Sequence, residues 1–471
     1  MEELITPGEE RCDFILTGKM FNVVWFLSWP VVIQMLLHSM VAAVDMKMVG
    51  YLGNNAVAAV GLSQQLMLFL FMSAWGLAAG ITATVARYFG QKDNDGLISA
   101  TAQTFIILFA FSMLFTITGL FSSRSLLSLL GAEHEVLEYG TVYIHILLGG
   151  LFFLTGKVFI WAVFQGVGDT KTPLKLDLFA NVINIAANYV FIFGLGFIPA
   201  FGIRGAAMGS VLAHLITFFL AINIMVKKAY FIPPRLDELL RFHADRLRAI
   251  LKVGIPVALQ SIVMVGANSM ILGVLARTAD GTYAVSGYYL GLTIYDFAFL
   301  PGIALAAAAA SLVGINLGNG NVGRANESGW RCAGLGAAAI IIPAAVIFIF
   351  APNLMLFFIN EERVIILGTE VVRVLAVVLP FHAAGFILAR AMQGAGESRV
   401  PFYITTTAWL LIRVPLAWLL AIGLGWQSEG VWFAVAGTQV LAALLFGLVY
   451  HRGIIAKTAT LSAVSPGAVQ N

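Results

Sequence analysis

Twelve long apolar stretches follow one another along this chain. Their centres lie near residues 35, 70, 108, 150, 185, 214, 262, 298, 337, 378, 411 and 440. A helix needs about 20 apolar residues to cross the hydrocarbon core of a bilayer, so each stretch reads as a membrane-spanning helix. In lipid only helices and closed barrels satisfy their own backbone groups. No run alternates at period two over many strands, which excludes a β-barrel. Of 471 residues, 60% are hydrophobic and 11% charged, and the mean hydropathy is +0.92. A soluble domain carries roughly 25% charged residues. The chain is therefore expected to be an all-α polytopic membrane protein. Its net charge of +3 is too small to imply a nucleic-acid partner.

Basic residues set the orientation, because Lys and Arg accumulate in cytoplasmic loops. With the N-terminus inside, the inner segments hold 18 of the 27 Lys and Arg and the outer loops 4. The remaining 5, Lys47, Lys157, Arg373, Arg390 and Arg413, fall within helices. That split fits an even number of spans with both termini cytoplasmic, in a cell inner (plasma) membrane. The start, MEELITPGEERCDF, lacks a signal-peptide pattern, so the first apolar segment is expected to be retained. Cys12 and Cys332 are the only cysteines and are expected to be free thiols. The expected organisation is an N-terminal tail (1–19), a six-helix lobe (20–228), a cytoplasmic linker (229–247), a second six-helix lobe (248–453) and a C-terminal tail (454–471).

The two lobes repeat one another. Residues 164–173 read FQGVGDTKTP and residues 392–401 read MQGAGESRVP. Gln165, Gly166, Gly168 and Pro173 recur as Gln393, Gly394, Gly396 and Pro401 at an offset of 228. Pro30 and Gln34 recur as Pro256 and Gln260 at an offset of 226. Six helices separate the copies, so they share one topology and are expected to be related by a pseudo-twofold axis along the membrane normal. Transporters built this way hold substrate between two halves that rock against each other.

The ordered set of Pro30 and Gln34, VDMKMVG at 44–50 and the doubled QGxG segment resembles the multidrug and toxic compound extrusion (MATE) family, in its prokaryotic branch. The resemblance covers essentially the whole chain. It implies a twelve-helix antiporter that uses no ATP and no cofactor. Such a protein would expel organic, often cationic, drug-like molecules in exchange for H⁺ or Na⁺, and a monomer is expected.

Apart from Asp45 and Lys47, residues 20–50 carry no Asp, Glu, Lys or Arg. A charge at mid-membrane costs about 3 kcal/mol on insertion scales. A lone buried carboxylate is relieved by binding a cation or taking up a proton, because burial penalises its charge. Both are properties of a coupling site; a structural salt bridge is the plainer reading. Lys47 does not face Asp45, since i and i+2 point apart on a helix, and it is near enough to the outer interface to snorkel. Further on, Asp177, Asn181, Asn184 and Asn188 are spaced to share one helix face. Such a stripe either lines a wet cavity or glues helices together. The resemblance assigns Asn184 and Asn188 to positions where the family carries Asn and Asp beside the first-helix acid. Asn188 departs from that pattern, leaving one carboxylate where two are usual. Fewer charges weaken a Na⁺ site, which favours H⁺, with Na⁺ at Asp45 the alternative. Ser210 matches a family hydroxyl ligand. In the second lobe, Asp296 and His382 are candidate cavity residues, as are Asp177, Asn181 and Gln34 in the first. Asp296 could equally pair with Arg413 or Arg390. Glu370 and Arg373 are expected to pair with each other.

GNGNVG at 318–323 matches a dinucleotide motif but follows a membrane helix, so context removes it. No P-loop and no Cys/His cluster occurs, and no acid pair or nucleophile constellation suggests an intramembrane enzyme. A lipid-linked saccharide or lipid flippase of related architecture is the alternative function. Lys157, Arg390 and Arg413 would then serve an anionic headgroup.

Overall fold

The computed structural model describes residues 8–227 and 241–453. Most of the expected linker, the C-terminal tail, and Lys228, Arg235 and Lys457 of the orientation count lie outside the described residues. The helices run α1 (Gly8–Thr17), α2 (Met20–Gly50), α3 (Asn54–Gln91), α4 (Asn94–Leu129), α5 (His134–Gly149), α6 (Leu151–Gly166), α7 (Lys171–Phe193) and α8 (Ile203–Lys227). They continue with α9 (Ala244–Leu275), α10 (Gly281–Gly318), α11 (Val322–Ile349), α12 (Ala351–Phe358), α13 (Glu362–Gly394), α14 (Arg399–Gly423) and α15 (Gln427–His451). Eleven are long and apolar enough to cross a membrane. The pair α5 and α6, bent by 54°, supplies a twelfth if taken as one span. The bend falls at Gly149–Gly150, where a Cβ on Gly150 would stand 2.5 Å from both Val211 methyl carbons. Glycine lets α8 press into the break. Among the described residues the one β-type contact is an isolated bridge between Leu195 and Ile198.

The chain divides into two compact units, residues 1–14 with 33–251 and residues 15–32 with 252–471. The division falls inside α2, just past Pro30, whose ring removes a backbone donor and loosens that turn. In the first unit α7 packs on α8 and α3 on α6; in the second α10 packs on α13 and α11. Residues 8–17, placed in the N-terminal tail by hydropathy, are helical. Arg11 reaches the buried Asp169 at 3.2 Å, and the Cys12 thiol donates to the Phe89 carbonyl at 3.6 Å. Both cysteines are free and buried.

The doubled segment makes the same turn twice. Gly166 lies so close to α3 that a Cβ would meet Val85 at 2.6 Å, and a Cβ on Gly394 would meet the Ala310 carbonyl oxygen at 2.2 Å. Gly168 and Gly396 then take φ of 70° and 91°, the left-handed conformation that ends a helix most cheaply with glycine. Next, an acid receives the first free amides of the following helix: Asp169 from Thr172 at 3.1 Å, Glu397 from Arg399 at 3.0 Å and Val400 at 3.2 Å. Asp and Glu there satisfy donors that have no partner within the helix.

Candidate functional site

Two polar rungs join α2 to α7. Gln34 donates to Asp177, and Asn188 Nδ2 donates to Asp45 Oδ1 at 2.9 Å. Both pairs are 143 residues apart in sequence, so the two helices run in the same direction. Eleven residues, or about 16 Å of helix, separate the rungs. The acid and the amide exchange sides between them; on the expected topology the Asp45 rung is termed outer and the Gln34 rung inner.

At the outer rung Asp45 is half-buried and Asn184 and Asn188 are buried. We assign the Asn184 amide with its nitrogen toward Asp45. It then donates to both carboxylate oxygens at 3.1 Å, and its oxygen accepts from the Ser210 hydroxyl at 3.3 Å. The opposite sense sets oxygen against carboxylate. Gly209 makes room for this arrangement, since a Cβ there would lie 2.1 Å from Asn188 Oδ1. That oxygen is buried and accepts no hydrogen bond among the described residues. Two amides donate to the carboxylate, so Asp45 is held by neutral groups alone. Asp45, Asn184, Asn188 and Ser210 thus form one connected cluster. Lys47 is exposed and makes no ion pair among the described residues.

The inner rung is a separate site. Asp177 is held by Lys157 Nζ at 2.5 Å, by the Trp161 indole at 2.9 Å and by Gln34. Lys157 also sits 5.7 Å from the centre of the Trp161 ring. The ammonium neutralises Asp177, so this acid does not add its charge to the Asp45 cluster. Asn181, between the rungs, is half-buried and makes no hydrogen bond among the described residues. His214 uses Nδ1 on the Ser210 carbonyl at 2.7 Å, which places its proton on that nitrogen. Sequence reading missed the roles of Lys157, Trp161 and His214. The i, i+4 spacings of Lys157 to Trp161 and of Ser210 to His214 were the available signals.

In the second unit the inner rung recurs without charge. Gln260 donates to the Thr405 hydroxyl at 2.7 Å and accepts from Gln393 at 3.0 Å. Thr405 is the repeat counterpart of Asp177, at the offset of 228. His382 shares a hydrogen bond with Tyr295 and stacks on Phe299, ring centres 4.8 Å apart. Asp296 is exposed on its helix and forms no ion pair among the described residues, so the pairing with Arg413 or Arg390 does not occur. Arg413 is buried, bonded to Thr438 at 2.8 Å and stacked 3.7 Å from the centre of the Trp409 ring. Arg390 bonds Gln393 at 3.1 Å. The expected Glu370–Arg373 pair is also absent among the described residues. Arg373 turns to the Phe348 carbonyl at 3.5 Å and lies over that residue's ring, where the end of α11 offers an acceptor.

The MatE family profile matches residues 30–190 and 256–419, one match in each lobe. The chain is 24% identical to the "Uncharacterized transporter YisQ" of Bacillus subtilis (strain 168), over 89% of this chain and 91% of that protein. It is 26% identical to the "Probable multidrug resistance protein YpnP" of the same organism, over 92% and 95%. To the "Probable multidrug resistance protein NorM" of Thermotoga maritima it is 24% identical, over 93% of each. Among solved structures, an outward-facing multidrug resistance MATE transporter of the MOP superfamily superposes with a TM-score of 0.86 at 24% identity, covering 94% of this chain and 97% of that one. A MATE structure in the bent conformation gives 0.88 at 25% identity, covering 95% and 99%. With paired family matches, relatives aligned nearly end to end and a shared twelve-helix fold, the chain belongs to the MatE family of multidrug and toxic compound extrusion transporters.

Proposed function

We propose that this chain is a secondary active exporter that moves drug-like organic molecules out of the cell in exchange for a cation bound at Asp45. The family match does not favour the flippase alternative. The observation that carries the reading is the Asp45 cluster: one intramembrane carboxylate, donated to by two carboxamides, with no basic partner among the described residues. A carboxylate so placed is costly unless something compensates it, and a cation from the outer side can do so. Both amides present N–H groups to Asp45, and the buried carboxylate is relieved of its charge by taking a proton. Na⁺ would need those amides turned to offer oxygen. The reading is therefore H⁺ antiport, with Na⁺ the alternative. Protonation removes the charge that orders Asn184 and Asn188, and α2 responds at the turn that Pro30 weakens. The working unit is a single chain in the inner (plasma) membrane with both termini cytoplasmic, as the basic-residue count supports.

The test is efflux of a cationic fluorescent dye from cells at equal expression, with external pH and Na⁺ varied separately. Asp45→Asn keeps the side-chain volume and is expected to lower coupled export at least tenfold while eluting and melting like the wild type. Normal efflux by that variant overturns the reading.

A further inference from the structure

The second lobe contains a recess lined by Gln260, His382, Phe386, Trp409 and Gln439, with Thr405, Met264 and several small residues completing the wall. Its position in the repeat explains why it is empty. Gly385, Ala389 and Ala442 line it, and they occupy the repeat positions of Lys157, Trp161 and His214, again at the offset of 228. Gln260 and Thr405 stand at the repeat positions of Gln34 and Asp177, and they make the same cross-helix bond. By the same offset, the corresponding positions of the first lobe carry the ion pair and the indole bonded to it. In the second lobe three large polar side chains are replaced by Gly and Ala around a preserved rung. Gly385 is also fixed by packing, since a Cβ there would lie 2.8 Å from the Ala443 backbone.

The lining carries a chemical preference. Gln439 is 4% exposed; its side chain bonds Tyr295, and its Oε1 is buried with no hydrogen-bond partner among the described residues. A buried acceptor left unpaired costs free energy until a donor reaches it. No acid lines the recess. Two of its rings are backed by guanidinium groups: Arg413 lies 3.7 Å from the centre of Trp409 and Arg390 lies 5.5 Å from the centre of Phe386. A cation in the recess would meet two fixed positive charges and no counter-charge. The cavity volume is about 30 Å³, room for about two waters and well short of a whole ring. It takes a ring's hydroxyl or N–H with the adjoining edge, while the rest of the ring stays outside.

We propose that this recess is a subsite for an uncharged aromatic end group of the exported molecule, one bearing a hydroxyl or ring N–H that donates to Gln439. The proposal rests on the exporter reading and names part of its substrate class. The subsite is tested by binding, so that it and the coupling role of Asp45 fail separately.

The purified full chain in detergent is titrated with 4-fluorophenol, followed by fluorine NMR. 4-Fluorobenzylammonium serves as the cationic comparison. The wild type is expected to bind the phenol. Ala389→Trp, which installs the first-lobe residue, is expected to lower that affinity at least tenfold. Gln439→Leu, which keeps the volume and removes the acceptor, is expected to lower it about tenfold, and decides the matter alone if the tryptophan variant does not fold. The ammonium probe is expected to show no difference among the three proteins. Equal phenol binding by wild type and Gln439→Leu overturns the proposal, as does displacement of the phenol by the ammonium probe at matched concentration.

Discussion

Removing the Lys157 ammonium would leave Asp177 buried with only Trp161 and Gln34 donating to it. An isolated buried charge costs more than a buried pair, typically by about 3 kcal/mol or more. Lys157→Met is therefore expected to lower the thermal midpoint in detergent markedly. Lys157→Met combined with Asp177→Leu is expected to recover most of the loss, because no uncompensated charge remains. A double variant as unstable as the single one would mean that the pair matters by shape and not by charge. Cys12 offers a second residue-scale test, outside the membrane segments. Burial pushes its thiol up to about 11, with the nearby Lys92 acting weakly the other way. The thiolate is the reactive form, so at pH 8 Cys12 is expected to alkylate roughly a hundredfold more slowly than a free cysteine of pKa near 8.5. The rate should rise as pH approaches 11 and at any pH where denaturant exposes α1. Fast labelling of the folded protein at pH 8 would contradict the packing of Cys12 against Phe89.

The turn between α13 and α14 separates two ways in which glycine is needed. Gly396 has φ of 91° and open space around its missing side chain, whereas Gly394 faces the Ala310 carbonyl oxygen at 2.2 Å from an added Cβ. Gly396→Ala strains only its own backbone and is expected to cost about 1 kcal/mol. Gly394→Ala must part α13 from α10 and is expected to cost several times more. Thermal unfolding of the two variants side by side checks this, and equal costs would mean that the helix crossing yields easily. Element α14 shows what a sequence pattern hides. It is π-helical over Thr406–Arg413 and Leu419–Gly423. Single-turn π segments often mark functional positions. Hydropathy reads the whole stretch as one ordinary span, because widening the turn changes no residue's polarity.

Across the molecule, the two lobes keep one scaffold and divide the chemistry. Asp45 and Asn188 are matched in the second lobe by Ile271 and Leu416, at offsets of 226 and 228. The outer rung is thus polar in one lobe and apolar in the other. Substrate-driven proton release by the purified chain, measured in weak buffer, is expected to be one per molecule in the wild type and none in Asp45→Asn. A value near two would indicate a second titrating acid, for which Asp296 is the candidate.

Apolar runs, basic loops and a repeat offset of 228 determined the class of fold, because each is a property of residues read in order and lipid tolerates so few architectures. Its place as the lone acid of the first span singled out Asp45, and the family resemblance added Asn184, Asn188 and Ser210; the structure joins the four through hydrogen bonds. Sequence reading set Asp177 apart as a possible cavity residue but did not find its partners. Asp177 shares the helix face of Asn184 and Asn188, and only the approach of α6 shows that Lys157 and Trp161 claim it. The break at Gly150, the π turns of α14, the buried Arg413 bonded to Thr438 and stacked on Trp409, and the recess beside Gly385, Ala389 and Ala442 were decided by tertiary structure alone. Each depends on which side chains from distant segments fill a shared volume. A linear pattern records what a residue is, while packing decides which neighbour neutralises it and where space remains.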